Sequence, residues 1–462
     1  MIINNNPTVK TMKRTLLLAI TALAALLASS CQKDDLGRVL TATIEQYEHN
    51  ASSKAYINTE NYACWENNDK VNINGHDYTI SISGGNGHNY SASIPGTESL
   101  EGDLLAFYPA SQVSSWNGDN VTISLPQVQT YEERNGHQII NNPMAAYCPA
   151  DSNELRFRNL PALLKITICA TEDLQVRAIQ VKGDDDQMLW GTSQLTLDYQ
   201  DKPLLGKMSN GASSVLLTFE KPAEIRANDN KSFYIVVPAG SDFIDFTIAV
   251  MTNQATYLKT RRMGQTVPRN HIGALSYTLA TDDKVYAILY TGSIDGLRFN
   301  YESFGGVLPE SSADGVIRFN YPIATIGEMA FSRRDNLTSV ILPAGVTSIG
   351  GYAFCYCINL SSISLPASLT SIGVYAFGNC SSLTSVSLPQ SLTEIKNTAF
   401  RSCSNLARID CYATIPPDLG DDVFDGIPST AVLHVPTGKA DTYSGSNWGT
   451  VFSEEGRIIE DL

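Results

Sequence analysis

The sequence predicts a mostly β protein in which two tandem β-sandwich domains precede a repeat solenoid. Residues 36 to about 280 consist of short alternating runs separated by turns, such as Tyr78 to Ser83 before Gly84-Gly85-Asn86-Gly87. This alternation with Gly/Asn turns is typical of strands and hairpins. Closer to the C-terminus the sequence carries a 23-residue repeat, which indicates one supersecondary unit stacked in copies.

The 23-residue repeat keeps the same residue types at fixed positions through four copies. These positions are Ile326, Ile349, Ile372 and Ile395; Phe331, Phe354, Phe377 and Phe400, each after an alanine; and Leu337, Leu360, Leu383 and Leu406. We expect Leu383, Val386, Leu388 and their equivalents to point into the solenoid. Cys357, Cys380 and Cys403 share one position, and we expect their thiols to stack inside as weak donors. A reactive or disulfide-forming thiol is the alternative.

Both ends of the repeat array are predicted to be atypical, since a terminal unit has one face toward solvent. Ile317 and Phe319 lie one repeat length before Val340 and Leu342, so the segment 316–319 is predicted to be the repeat's strand inside an N-terminal cap. At the other end Phe424 follows Phe400 by one position more than the repeat length. A single inserted residue therefore leads into a degenerate fifth turn.

The N-terminus has the three parts of a secretory signal. Lys13-Arg14 is followed by an apolar run from Leu16 to Leu27 and then by Ala28-Ser29-Ser30-Cys31. The run is too short for a comfortable membrane span. A cysteine directly after small residues resembles the lipobox of bacterial lipoproteins, which implies acylation of Cys31. An ordinary signal with a chance cysteine is the alternative.

The residues after Cys31 are also informative. Gln32, Lys33, Asp34 and Asp35 resemble the short signal that sends Bacteroidetes-type lipoproteins to the outer face of the outer membrane. The resemblance implies a lipid-anchored protein exposed at the cell surface. A random polar tether is the alternative.

Composition and motifs argue against several functions. The net charge of −15 on 462 residues disfavours nucleic acid and a basic membrane-binding face. The histidines are scattered, and no Gly-x-Ser-x-Gly or phosphate loop occurs. Asp184-Asp185-Asp186 lacks the spaced ligands of a calcium loop. We therefore predict no catalytic residue, no metal site, no cofactor and no enzymatic activity.

Several short motifs between residues 36 and 280 resemble the fimbrillin-like (Mfa-like) lipoproteins. They include Phe107-Tyr108-Pro109-Ala110, Phe233 to Pro238 and Arg269-Asn270-His271-Ile272. The resemblance implies two β-sandwich domains in tandem. It also implies a pilus subunit or a related surface protein.

The repeat resembles the BspA-type leucine-rich repeat, since Ile372 to Pro389 is nearly its consensus. The tail, with Ile415-Pro416-Pro417, Val435-Pro436 and Trp448, fits the ending of that family. The resemblance covers about 284–462. The predicted organisation is a signal peptide at 1–30, a lipidated tether at 31–40, fimbrillin-like sandwiches at 41–172 and 173–282, a cap at 283–325, leucine-rich repeats at 326–411, and a degenerate repeat with the C-terminal cap at 412–462.

The outward positions of the repeat strands form a hydroxyl-rich face that we predict to bind a ligand. Its candidate residues are Ser339, Ser362, Ser364, Ser385, Ser387, Arg408 and Asp410. A solvated face without a ligand is the alternative. The resemblance implies an adhesin that binds host or neighbouring-cell proteins or glycans and is attached to the outer membrane by its lipid anchor.

Two other functions stay open. The chain could be a pilus subunit that joins other pilus subunits by strand donation, in which case Arg38 is the candidate cleavage site. It could also be an accessory protein of glycan utilisation.

Overall fold

The computed structural model describes residues 40–44, 68–81, 91–117, 120–134, 137–140, 142–183, 187–198, 202–242, 246–261, 266–279, 283–294, 299, 301–313, 315–454 and 456–462. Strands dominate these residues, which confirms the mostly β class. The predicted lipidation site Cys31, the export signal at 32–35 and the candidate cleavage site Arg38 lie outside them. So does the acidic run at 184–186.

The strands before residue 160 are short. They are β1 (Leu40–Ile44), β2 (Lys70–Ile73), β3 (His76–Thr79), β4 (Ser91–Ile94), β5 (Leu104–Tyr108), β6 (Val113–Asn117), β7 (Asn120–Leu125), β8 (Val128–Arg134), β9 (His137–Ile139), β10 (Met144–Cys148) and β11 (Glu154–Asn159).

The next strands are longer and lead into the repeats. They are β12 (Ala162–Ala170), β13 (Leu174–Lys182), β14 (Gly191–Leu197), β15 (Pro203–Leu205), β16 (Ser214–Ile225), β17 (Asn230–Val237), β18 (Ser241–Asp242), β19 (Phe246–Thr252), β20 (Thr256–Arg261), β21 (Thr266–Val267), β22 (Ile272–Leu279), β23 (Lys284–Gly292), β24 (Ser311–Ala313) and β25 (Val316–Phe319).

A curled sheet forms the first body of the fold. Its strand order is β3-β2-β5-β10-β11-β1-β4, and its edges meet where Ser81 and Ser93 exchange backbone hydrogen bonds of 2.9 and 3.0 Å. The inward face of all seven strands contributes to one core, with Leu104 and Phe157 among the buried side chains. The outward face carries Phe107 against the sheet β15-β14-β7-β6. The first body is therefore a curled sheet with a second sheet packed on its outside.

The second body packs two sheets face to face. A three-stranded sheet, β17-β12-β22, lies against a long sheet with the order β24-β25-β23-β20-β19-β13-β16-β8-β9. Ile166 and Phe233 from the first sheet and Ile179 and Val250 from the second are buried together. The other face of the long sheet is also apolar, with Ala249 and Leu289 among its buried residues.

The predicted boundary at 172/173 does not separate the two bodies. Strand β12, before the boundary, lies in the second body, and β8 pairs in parallel with β16 there. Strand β14, after the boundary, pairs with β7 in the outer sheet of the first body. The prediction assumed that each domain uses one contiguous segment of the chain. Strands that pair within one body are instead distant in sequence, so each body contains segments from both sides of residue 172.

The remaining elements build the solenoid. They are β26 (Thr325–Ile326), β27 (Leu337–Ile341), β28 (Ser348–Ile349), β29 (Ser362–Ser364), β30 (Ser371–Ile372), β31 (Ser385–Leu388), β32 (Glu394–Ile395), β33 (Arg408–Cys411), β34 (Asp418–Leu419), β35 (Val432–Val435), α1 (Ala440–Ser444), α2 (Asn447–Val451) and β36 (Ile458–Glu460). The pairing β26-β28-β30-β32-β34 is parallel, as are β27-β29 and β31-β33-β35-β36.

The phenylalanines of the repeat form a stacked ladder in the solenoid core. Phe354 lies 5.0 Å from Phe331 and 5.3 Å from Phe377, with ring planes within 3° of parallel. The stack continues through Phe400 to Phe424, at 5.0 and 5.5 Å. All of these rings are buried. Fixed spacing in the sequence therefore becomes direct contact between successive turns.

The cap differs from the prediction in its strand order. Ile317 and Phe319 enter the solenoid core, but β25 does not pair with β27. Strand β23 lies between them and is antiparallel to both. Because β23 also pairs with β20, the long sheet of the second body continues into the solenoid. At the other end Arg408 pairs with Val432, one position beyond the repeat length, which confirms the inserted residue.

Candidate binding surface

The predicted ligand-binding residues lie on the outward side of the repeat strands, which we call the strand face. It consists of Ser339, Ser362, Ser364, Ser385, Ser387, Arg408 and Asp410. Parallel pairing places them in register, with Ser339 beside Ser362, Ser385 beside Arg408 and Ser387 beside Asp410. The strand face is therefore one surface, although its two ends have different surroundings.

The first turn of the strand face is closed. Ser339 has no exposed surface, and its hydroxyl lies 2.7 Å from that of Thr291 on β23. Its neighbour Ile341 is buried among Ala249 and Leu289 of the long sheet. Ser339 points away from the solenoid core, as its position in the repeat indicated. It meets a neighbouring sheet instead of solvent, so it does not belong to an accessible surface.

The second turn is partly engaged. The guanidinium of Arg177 donates to the Ser364 hydroxyl at 2.8 Å and to the Leu365 carbonyl at 2.8 Å. It also reaches the Leu342 carbonyl at 3.4 Å. Burial lowers the pKa of Arg177 to about 10, which leaves it charged at neutral pH. Ser364 therefore serves the junction between bodies. Ser362 on the same strand is partly exposed, as is Ser364.

The third and fourth turns are open. Along β31 exposed and buried residues alternate. Ser385 and Ser387 are exposed, and Val386 and Leu388 are buried. Arg408 forms an ion pair with Asp410, with Nε 2.8 Å from Oδ1. The accessible strand face thus consists of short hydroxyls bordered by one cation and one carboxylate. It can donate and accept many shallow hydrogen bonds.

A second exposed surface, which the sequence analysis missed, lies on the turns between strands. We call it the tyrosine patch: Tyr352, Tyr356 and Tyr375, with Arg333 5.5 Å from the Tyr356 ring centroid. Tyr352 and Tyr356 are 37% and 42% exposed, although Phe354 between them is buried. All three tyrosines adopt positive φ, between 54° and 58°, which is uncommon for aromatic residues. The recurring Gly-x-Tyr-Ala-Phe could have revealed Tyr352 and Tyr375.

The repeat cysteines are structural in their geometry. The thiols of Cys357, Cys380 and Cys403 are buried, and each donates to the carbonyl of the phenylalanine 26 residues earlier, at 3.1 to 3.2 Å. Burial raises the pKa of Cys357 and Cys403 to about 12 and also raises that of Cys380. A thiol that resists ionisation is a poor nucleophile. The predicted stacking inside the solenoid is confirmed.

Within the part of the chain that the structure describes, no group of three or more His, Cys, Asp or Glu could hold a metal ion. No helix among those residues is long and apolar enough to cross a membrane.

Residues 317–438 match the model of the BspA type leucine rich repeat region, in six copies. This match supports the resemblance carried by the 23-residue repeat. No curated protein is significantly similar to the chain.

Solved structures resemble parts of the chain. A candidate cell adhesion protein from Bacteroides uniformis is 12% identical; the alignment covers 53% of this chain and 94% of that one, with a TM-score of 0.33. A leucine rich repeat protein from T. pallidum is 27% identical over 32% of this chain and 67% of that one, with a TM-score of 0.25. A leucine rich cell surface protein from Faecalibacterium prausnitzii is 24% identical over 38% and 48%, with a TM-score of 0.25.

The fimbrillin-like resemblance of residues 36–280 stays a prediction. The C-terminal part of the chain, from 317 to 438, is similar to the BspA type leucine rich repeats.

Proposed function

We propose that the chain is a non-enzymatic surface binding protein, an adhesin, whose repeats contact host or neighbouring-cell proteins or glycans. The observation that carries this proposal is the exposed surface of the solenoid. Packed side chains fill the solenoid core from Phe304 to Phe452. A partner would therefore bind to the outer surfaces of the solenoid. These are the open part of the strand face and the tyrosine patch.

The composition of these surfaces supports contact with a partner. Tyrosine and arginine are enriched among the residues that dominate binding energy at protein interfaces. Short hydroxyls such as those of Ser385 and Ser387 give many weak hydrogen bonds, so affinity has to come from summed contacts over several turns. A solenoid suits this, because repeats create an extended binding surface.

The shared sheet supports a display role for the N-terminal bodies. Strand β23 pairs with β20 on one side and with β25 and β27 on the other. The second body is thus joined to the repeats by backbone hydrogen bonds as well as by covalent linkage. We propose that the fimbrillin-like part is a spacer that holds the open turns away from the membrane.

In this proposal the N-terminal motifs direct the protein to the cell surface and anchor it there. Two or more acyl chains give stable membrane attachment where one is marginal. Cys31→Ala should release the protein from membranes. Alanine at Lys33, Asp34 and Asp35 together should keep the protein lipidated but hide it from protease added to intact cells. If the added protease digests the triple variant on intact cells as fast as the wild-type protein, surface export by this signal is contradicted.

The binding proposal is tested by a capture screen of residues 36–462 on matrix-protein and glycan arrays, with residues 36–280 as a parallel sample. Binding by the longer chain alone supports the repeats as the binding part. Binding by both places it in the N-terminal bodies. An amino end cut after Arg38 on the native protein, with ladders of assembled chains, would favour the pilus subunit.

A further inference from the structure

One repeat position on the solenoid turns forms a row of exposed or half-buried side chains. We call it the turn row, and its members are Met329, Tyr352, Tyr375, Thr398 and Asp422, one from each of five successive turns. All five residues have φ between 54° and 59°. In the first four of them the backbone N–H donates to a carbonyl of the next turn at 2.8 to 3.1 Å. This pairing fixes the spacing of the row at about 4.8 Å per turn.

The first three turns have an apolar surface around this row. Twelve large apolar side chains are exposed among the described residues, and five of them lie here: Met329, Tyr352, Tyr356, Ile358 and Val374. The tyrosine patch therefore has further apolar side chains around it. A group of exposed apolar side chains on a folded domain marks an interaction site.

Tyr375 is held in place at the centre of the turn row. A Cβ atom on Gly378 would lie 2.5 Å from the Tyr375 ring, so the ring rests against the glycine, where the neighbouring turns have Cys355 and Arg401. The Tyr375 hydroxyl accepts a hydrogen bond from the Asn379 amide. A side chain that is already fixed loses little conformational freedom when a partner covers it.

Side-chain size differs between the two ends of this surface. The position that Tyr352 occupies in the second turn is held by Thr398 in the fourth turn, and that of Tyr356 by Ser402 and then by Gly426. If a second copy lies on the surface in the reverse direction, the bulky end of each copy meets the small end of the other. A two-fold symmetric dimer requires such a self-complementary surface.

The two ends also carry opposite charges that have no ion-pair partner. Arg333 in the first turn and Asp422 in the fifth turn are both exposed. Neither forms an ion pair with a residue that the structure describes, unlike Arg401 and Asp425 nearby, which pair at 3.1 Å. The same reversal of direction that matches side-chain size places each of these charges toward the opposite one.

We propose that the turn row and the tyrosine patch together bind a second copy of this chain. A two-fold axis near Tyr375 brings Arg333 of each copy toward Asp422 of the other, because Tyr375 lies two turns, about 10 Å along the row, from both. Glu328 and Asp335 also lie in the first turn, so the proposal concerns this specific pairing and not the net charge of either end.

The expected association is weak for one pair of molecules. The surface covers five turns, about 20 Å along the solenoid, and small interfaces bind weakly. Many copies anchored on one membrane would raise the overall strength through multivalency. Self-association of the chain does not depend on its anchor, whereas its use between neighbouring cells rests on the proposed function.

The test is sedimentation velocity of residues 36–462 from about 1 µM to about 300 µM, a range chosen because small interfaces are weak. The wild-type chain should form dimers as its concentration rises. Arg333→Asp or Asp422→Arg alone should raise the dimer Kd at least about tenfold, because each places two like-charged pairs in the dimer. An equimolar mixture of the two variants should dimerise again, since every such contact in the mixed dimer then joins opposite charges.

Both substitutions are compatible with the fold. Asn379 and Ser402 occupy the repeat position of Arg333, and Thr398 occupies that of Asp422. The matched control is Arg318→Asp on an exposed position of β25, which changes the charge equally and should leave dimerisation unchanged. A wild-type chain that stays monomeric at every concentration overturns the proposal, and so does a mixture that does not recover. If that monomeric chain still captures an array target, the proposed function stands without this inference.

Discussion

Arg177 Nη2 donates a hydrogen bond of 2.8 Å to the hydroxyl of Ser364, which is 187 residues further along the chain. The arginine lies at a β-bulge, since the pairing of β13 with both neighbours shifts between Val176 and Ala178. A bulge re-aims a side chain out of the regular alternation. Here it directs a cation from the second body to the carbonyls at the ends of two repeat strands. A buried guanidinium thus adds side-chain hydrogen bonds to the junction that the backbone pairing of β23 also forms.

The first prediction concerns this junction. Arg177→Met keeps much of the side-chain volume but leaves the Leu342 and Leu365 carbonyls without their donor. A hydrogen bond from a charged group contributes about 1.5–3 kcal/mol, so we expect a loss of about 2–4 kcal/mol in the free energy of unfolding. Urea unfolding followed by circular dichroism measures it. Ser364→Ala is the matched control and should cost less than about 1.5 kcal/mol.

The shape of the transition adds a second readout. If the junction couples the bodies, Arg177→Met should broaden or split the unfolding curve, because the solenoid and the sheets would then unfold separately. An unchanged midpoint for Arg177→Met would show that β23 alone holds the bodies together.

The second prediction concerns the aromatic ladder. Phe377 is buried and stacks on Phe354 and Phe400 at 5.3 and 5.0 Å. Phe377→Ala should cost about 3–5 kcal/mol, and the loss should pass to adjacent turns because each repeat contacts its neighbours. Ser387→Ala, on the exposed strand face, should change stability by at most about 0.5 kcal/mol. Similar denaturation midpoints for the two variants would contradict the observed register.

The sequence predicted the features that are periodic. Phe377 and Cys380 recur at the same positions of successive repeats, so their inward direction and their stacking could be inferred from spacing alone. The same periodicity located the insertion that moves Val432 one position out of phase. In a repeat solenoid each turn contacts only its neighbouring turns. The contacting residues are therefore one repeat length apart and can be read from the sequence.

The features that escaped prediction depend on pairing between distant segments. Strand β12 pairs with β17 and β22, and neither pairing has a local signal. The burial of Ser339 could not be predicted either. A serine at an outward position of a repeat strand is expected to be exposed, and the hydrogen-bond partner that allows its burial, Thr291, lies on a different strand. Tyr356 was missed for another reason: the repeat has no tyrosine at its position, since Arg333, Asn379 and Ser402 stand there in the other copies.

The third prediction is a loss of stability at alkaline pH. The pKa values of Cys357 and Cys403 are raised by burial from 9.0 to about 12, so the folded state holds their protons longer than the unfolded state does. Their contribution is fully present below about pH 9 and is lost as the pH rises through 12. The free energy of unfolding should fall by up to about 1.4 kcal/mol per pH unit for each thiol in that interval.

The test compares the wild-type chain with a variant in which Cys357, Cys380 and Cys403 are all serine. A serine hydroxyl can still donate to the phenylalanine carbonyl but does not titrate in this range, so the variant should show a shallower decline between pH 9 and 11. Tyr443 also has a raised pKa because it is buried, and it is common to both proteins. Parallel curves would show that the thiols do not carry the dependence.

The last prediction locates binding on the strand face. Ser385→Glu and Ser387→Lys together place two bulky charges on β31, the strand of the third turn. Register puts them beside Arg408 and Asp410 respectively, so each new charge meets an opposite one and the fold should persist. Binding to whichever array target the wild-type chain captures should fall at least about tenfold, while either change alone should only weaken it. The loss corresponds to about 1.4 kcal/mol.

The control places the same charges on the opposite ladder of the solenoid. Ser348 and Ser371 are neighbours in register there and are half-buried, so Ser348→Glu with Ser371→Lys alters net charge identically without touching the strand face. Retained binding in this control, together with loss in the first pair, assigns the ligand to the open turns. If both pairs bind normally while Tyr352→Ala with Tyr356→Ala does not, the partner is held by the tyrosine patch, because exposed rings supply larger contact areas than serines can.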